Sequence, residues 1–207
     1  MIDEHIAYVK EEKGDYQGSK LGMWIFLFTE MLLFSGLFLL YSAYRSRYSA
    51  EFHIADAGMD KVIGTLNTVI LLTSSLTLVY AISFLRTGRK KMSITFQLLT
   101  VAFGLIFLVN KYIEWSAKFH HGIYPGSPEL MTHPKGQIIF YGLYFFMTGL
   151  HGLHVLAGMI LISVTTVLTY KGRISSDRFI VLENTGLYWH FVDIVWVYLF
   201  PLFYLIN

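Results

Sequence analysis

Five blocks of apolar residues, each long enough to cross a bilayer as a helix, dominate this chain of 207 residues. A helix rises about 1.5 Å per residue, so about 20 apolar residues span a hydrocarbon core of about 30 Å. The blocks run from about Leu21 to Ala43, Ile63 to Leu85, Ile94 to Trp115, Ile138 to Tyr170 and Thr185 to Ile206. The fourth is long enough to tilt or protrude. None shows the two-residue alternation of a membrane barrel strand. Backbone groups in lipid must bond within their own segment, which predicts five α-helices and an all-α polytopic membrane protein.

Residues 1–19 carry Asp3, Glu4, Glu11, Glu12 and Asp15. They have no apolar run of the signal-peptide kind and read as a polar tail on the membrane surface. Residues 20–207 read as one five-helix domain. Basic residues set the expected orientation. Lys10, Lys13, Lys20, Arg86, Arg89, Lys90, Lys91, Lys171, Arg173 and Arg178 fall on one side. Arg45, Arg47, Lys61, Lys111, Lys118 and Lys135 fall on the other. The N-terminus is therefore expected inside and the C-terminus outside. The turn bearing Arg86, Arg89, Lys90 and Lys91 is the strongest topogenic signal, and it suits anionic lipid headgroups.

Composition narrows the function. Charged residues make up 14% of the chain, against about 25% in ordinary soluble domains. A disordered chain is excluded. The absence of Cys excludes a disulfide scaffold and any thiolate metal or haem site. A net charge of +2 is too small to indicate nucleic-acid binding.

Polar residues inside the blocks are the candidates for function. Glu30 lies near the middle of the first block, where it must be protonated or hydrogen-bonded to a neighbour. Two roles fit it: a proton-linked or lipid-linked carboxyl, or a neutral acid bonding across helices. In the fourth block His151 and His154 are three residues apart and share a helix face, as do His190 and Asp193 in the fifth. Glu114 ends the third block. These groups could ligate a metal or haem, but interhelical hydrogen bonding is the commoner role for such side chains. Gly149, Gly152 and Gly158 would allow close helix packing. His120, His121 and His133 lie in a Gly- and Pro-rich connection, where solvated His is commoner than a metal site. Trp24, Trp115, Trp189 and Trp196 read as interface or packing aromatics, and no Tyr stands in a recognisable acid–base arrangement. The chain has no phosphate-binding Gly-rich loop, no Gly-x-Ser-x-Gly, no His-Glu-x-x-His and no Cys-x-x-Cys-His.

These segments resemble subunit III of haem–copper terminal oxidases, over nearly all of Lys20 to Asn207. The resemblance rests on five stretches in order: Leu21-Gly22-Met23-Trp24 with Thr29-Glu30; Leu66-Asn67-Thr68 with Leu71 to Ser75; Lys111-Tyr112-Ile113-Glu114-Trp115; Thr148 to Val155; and Glu183 followed by Tyr188 to Trp196. The last two are the most specific. The resemblance implies a five-helix bacterial form, multi-pass in the inner membrane, with no redox cofactor of its own. It implies packing on subunit I, whose haem and copper reduce oxygen and translocate protons in aerobic respiration, with subunit II and a small subunit IV as further partners. It implies bound phospholipid, support of proton uptake and protection of the redox subunit. By match, Glu30 takes the place of the family's carbodiimide-reactive carboxyl. Glu114, His151, His154, Glu183, His190 and Asp193 take the place of its buried polar network.

Three departures bear on these expectations. The two extra N-terminal helices of seven-helix members, which wall the family's lipid cleft, are not seen here. Lys111 stands where a Gln is expected. Lys171 and Arg173 are the nearest match to the family's basic lipid-head ligand. Three other readings remain: a subunit-III-like protein associated with nitric oxide reductase, a stand-alone b-type cytochrome using His151, His154 or His190, and a proton-coupled carrier using Glu30.

Overall fold

The computed structural model describes residues 2–205, with side chains described from Tyr16 onward. Seven helices follow one another: α1 (Ile2–Arg47), α2 (Ser49–Ala57), α3 (Lys61–Arg86), α4 (Lys90–His120), α5 (Pro128–Met131), α6 (Lys135–Tyr170) and α7 (Ile180–Tyr204). Five are long and apolar enough to cross a membrane: Tyr16–Arg47 of α1, and all of α3, α4, α6 and α7. They match the five apolar blocks, but run past them by several residues at most ends. α1 itself begins at Ile2, so the expected polar tail is helical from there and runs without a break into the first span. Ile206, the expected end of the fifth block, lies outside the described residues.

The spans alternate in direction. One end of the bundle gathers the start of the α1 span, the α3–α4 turn and the α6–α7 loop. The opposite end gathers α2, α5 and the end of α7. Local chemistry sets the turns. The Asp60 carboxylate caps α3 by accepting from Val62 N and Ile63 N, each at 3.0 Å. Gly88 and Gly172 follow α3 and α6 with φ of 74° at each. That left-handed geometry, costly for a Cβ-bearing residue, lets Arg89 N reach Phe84 O and Arg173 N reach Leu168 O. The two short helices were not apparent as apolar blocks. They form because Ser127 caps α5 through Leu130 N, and because α2 docks on α6, where Glu51 accepts from Gly136 N.

Lipid supplies no hydrophobic drive between helices, so the core closes through small residues, aromatic rings and hydrogen bonds. Trp189 and Trp196 are wholly buried. Their indole nitrogens donate to Ser74 Oγ at 3.1 Å and Thr68 Oγ1 at 3.0 Å, tying α7 to α3. The α3–α4 pair is held by Thr77 and Thr100 hydroxyls at 2.8 Å and by Asn110 donating to Asn67 at 2.9 Å. Gln97 of α4 accepts from Thr165 and Thr166 of α6.

The glycines of the fourth block divide. A Cβ on Gly158 would lie 2.6 Å from the Trp189 ring, and one on Gly149 would lie 3.1 Å from Trp115. Gly152 has open space instead, which corrects the expectation that it packs closely. Trp24, unlike Trp189 and Trp196, is mostly exposed, and α1 turns Leu21, Ile25, Phe28, Leu32 and Leu39 outward as well. Those residues face lipid or another subunit rather than this bundle.

Replacing Gly158 by Val should drive a branched side chain into Trp189 and lower stability by about 1–3 kcal/mol, the usual range for overpacking. Gly152→Ala should leave it unchanged. Detergent-dependent unfolding of the two variants checks this, and equal effects would contradict the packing described.

Candidate functional site

The polar side chains inside the spans form separate groups rather than one connected network. At mid-span of α1, Glu30 Oε2 lies 3.0 Å from His154 Nε2 of α6. His154 Nδ1 lies 2.8 Å from Leu150 O. A carbonyl can only accept, so Nδ1 carries a hydrogen. The contact at Nε2 then holds a single proton between imidazole and carboxyl, whichever of the two bears it. Both side chains are partly exposed, at 14% for His154 and 19% for Glu30, so the pair sits at the rim of the bundle. Phe34 packs edge-on against the His154 ring at 5.2 Å, and Tyr188 OH donates to His154 O at 3.2 Å.

A second group is wholly internal. Lys111 Nζ donates to Glu114 Oε2 at 2.9 Å and to the hydroxyls of Tyr144 and Tyr204 at 3.0 Å each. Both hydroxyls donate in turn to Glu114 Oε1 at 2.7 Å. One helical turn of α4 supplies the ion pair, because a spacing of three puts both side chains on one face. α6 and α7 supply the tyrosines. The ammonium also lies 5.4 Å from the Trp196 ring, within cation–π range. With both carboxylate oxygens and all three ammonium hydrogens engaged, the charges are compensated. Lys111, assigned from sequence to a surface count of basic residues, is in fact 7% exposed and belongs to the core.

Glu183 organises the end of the bundle where the α1 span begins. It accepts from Tyr16 OH at 2.9 Å, pairs with Lys20 Nζ at 3.1 Å, and pairs with Arg86. Asn184 beside it donates to Ser19 Oγ at 3.0 Å. Three spans thus meet on one carboxylate. The basic residues proposed as lipid ligands surround this end: Arg89, Lys90 and Lys91 open α4, and Lys171 and Arg173 follow α6. Lys90 Nζ comes within 3.9 Å of where a Cβ on Gly172 would stand, so the two basic stretches adjoin. A groove of about 320 Å³ beside them is lined by Lys20, Ser83, Arg86, Glu183, Gly186 and His190 among others.

The remaining residues stand apart. His190 Nδ1 meets Ser75 Oγ. His151 is fully buried between Phe107 and Trp196, with ring centroids 5.6 and 5.3 Å away, and its ring nitrogens have no hydrogen-bond partner among the described residues. That packing fills the space a tetrapyrrole would need beside it. Asp193 is 3% exposed, and the Ser75 hydroxyl of α3 is the polar group beside its carboxyl. His133 bonds to Gln137 at 2.7 Å. Among the described residues no three His, Cys, Asp or Glu side chains come together as a metal site.

Residues 3–207 match the family described as cytochrome c oxidase subunit III. The chain belongs to that family. It is 32% identical over 188 residues to cytochrome c oxidase subunit 3 of Bacillus sp. (strain PS3), covering 90% of this chain and 85% of that one. It is 30% identical over 195 residues to cytochrome bo(3) ubiquinol oxidase subunit 3 of Pseudomonas putida, covering 92% and 87%. Against cytochrome c oxidase subunit 3 of Yarrowia lipolytica it is 27% identical over 196 residues, covering 91% and 68%.

For this subunit III chain, sequence reasoning singled out Glu30 and His154 separately and left their pairing unseen. A partner 124 residues away on another helix carries no signal in local spacing. Tyr144 and Tyr204 were missed altogether. Their one clue was Lys111 itself, a cation inside an apolar block that had to be compensated by something.

Removing one member of the Lys111–Glu114 pair leaves a buried charge without its counterion. Lys111→Met should cost about 3–5 kcal/mol, and so should Glu114→Leu. The double variant should be milder than either single change. Thermal unfolding of all three in detergent tests this, and additive losses would show that the pair is not coupled.

Proposed function

We propose that this chain is the non-catalytic subunit III of a respiratory haem–copper oxidase, set in the bacterial inner membrane with its N-terminus inside and C-terminus outside. Haem and copper reside in the partner subunits, where oxygen reduction and proton translocation take place. This chain packs on subunit I, alongside subunit II and a small subunit IV, and maintains the lipid and proton environment at their boundary. Electron donors named among the relatives include both cytochrome c and ubiquinol.

The Glu30–His154 pair is the observation that carries this reading. It places one proton near mid-depth, at the rim of the bundle, on the sparsely packed α1. A proton-exchanging group there serves a neighbour better than it serves the core, because the core closes without it. The cationic end around Lys20, Arg86, Arg89, Lys90, Lys91, Lys171 and Arg173 suits anionic headgroups, attracted by about 1 kcal/mol per basic residue. Glu183 neutralises part of that charge and fixes Lys20 and Arg86 in place.

Gentle extraction from native membranes, followed by mass spectrometry and an optical spectrum, tests the role. A haem–copper subunit should co-purify, and the chain expressed alone should be colourless. A Soret band from the isolated chain would overturn the assignment. A hydrophobic carbodiimide should label Glu30 within the complex, and Glu30→Gln should abolish labelling without impairing assembly. Labelling directed mainly to Glu114 or Glu183 would contradict the boundary position assigned to Glu30.

A further inference from the structure

The groove of about 320 Å³ at the basic end runs inward between α3 and α7. Its mouth is set by Arg86, the last residue of α3, and by Glu183, in the first turn of α7. Val79 and His190 line its inner end. His190 stands seven residues beyond Glu183, about 10 Å along the helix axis. The polar path does not stop there. His190 Nδ1 meets Ser75 Oγ of α3. The same hydroxyl is the polar group beside the Asp193 carboxyl. Asp193 lies about 15 Å in from Glu183 by helical rise, and its carboxyl oxygens reach no solvent. A proton must therefore come to it through a neighbouring side chain. Among the described residues Ser75 also touches a titratable group that opens onto a groove.

Other ties between the same helices are sealed. Trp189 and Ser74, bonded one turn away, are wholly buried. The His190–Ser75 contact differs, because the imidazole is only half-buried and forms part of the groove wall. A hydroxyl donates and accepts at once, and an imidazole can take a proton on one nitrogen while releasing one from the other. Starting from the Nδ1–H tautomer, a proton gained at His190 Nε2 from the groove makes an imidazolium. Its Nδ1 hydrogen passes to Ser75 Oγ as the Ser75 hydrogen passes to Asp193. One proton has then moved from the groove to the carboxyl, and His190 is left as the other tautomer. The reverse transfer restores it, so the path loads and unloads through one mouth. The charged groups at that mouth are Lys20 of α1 and Arg86 of α3, both paired with Glu183. On α6, His154 is turned to Glu30 and His151 is packed between Phe107 and Trp196, so neither enters the path.

We propose that Asp193 is a second proton-exchange site, separate from Glu30, and that it equilibrates with the aqueous face at the basic end through Ser75 and His190. The site goes beyond the boundary role of the Glu30–His154 pair, and it stands whether or not the chain serves an oxidase.

Infrared difference spectroscopy of the chain, with whatever subunits it purifies with, tests the route. The carboxylic-acid carbonyl band that is lost in Asp193→Asn reports the Asp193 proton, and it shifts when deuterium replaces that proton. The rate of this shift is read after transfer from ordinary to heavy water. Ser75→Ala should slow it by about a hundredfold, the lower end of what a positioned proton-transfer group supplies. Ser75→Thr keeps the hydroxyl and should restore the native rate. Val79→Trp, at a largely exposed position on the groove wall, should slow the shift without altering any member of the relay, and it keeps the test open if Ser75→Ala does not fold. Absence of an exchanging band assignable to Asp193 would overturn the site. Native exchange in Ser75→Ala, or equal slowing in Ser75→Ala and Ser75→Thr, would reduce the three residues to a structural tie and overturn the relay. Native exchange in Val79→Trp would overturn the groove as its mouth.

Discussion

Inside a bilayer no water stands ready to complete a polar group, so every such group must be answered by another helix. The Lys111–Glu114 ion pair and its two tyrosines are the strictest case. One ammonium and one carboxylate from α4 close only when Tyr144 of α6 and Tyr204 of α7 arrive. Three spans are thereby fixed in depth and rotation at a single point. A slip of any one of them would expose a charge to hydrocarbon. Specificity of assembly, more than stability, is what such a knot supplies. Apolar residues of similar volume would pack about as well but would not select one register.

The same demand explains the second layer of contacts. Indole nitrogens of Trp189 and Trp196 reach α3 hydroxyls. Gly158 is kept small so that Trp189 can lie against α6, and a Cβ on Gly104 of α4 would likewise stand 2.9 Å from the same ring. Rings and small residues together replace the hydrophobic drive that a soluble bundle would use. The result is a closely packed body of α3, α4, α6 and α7, with α1 set against one side of it.

That division suits a subunit whose work lies at its boundary. The bundle interior spends its polar residues on its own cohesion, as Glu114 and Glu183 show. Glu30 differs, since among the described residues its partner is His154 at the rim, and one proton serves both. One end of the chain is mostly cationic, around Arg86 and Lys171.

By itself the sequence determined the number of spans, their approximate limits, their helical state and the family. All of these follow from runs of apolar residues and from short motifs read along one helix. It also marked Glu30, Glu114, His151, His154, Glu183, His190 and Asp193 as worth attention, because polar atoms in such runs are conspicuous. Which of them meet was decided only by the tertiary structure. Glu30 is 124 residues from His154, Glu183 is 97 from Arg86, and Lys111 is 93 from Tyr204. Local periodicity says which face of a helix a side chain occupies, but not which helix that face will meet or at what depth. Those depend on the rotation and register of packed helices. They are set jointly by glycines that admit a ring, rings that fill a gap, and charges that cannot be left alone.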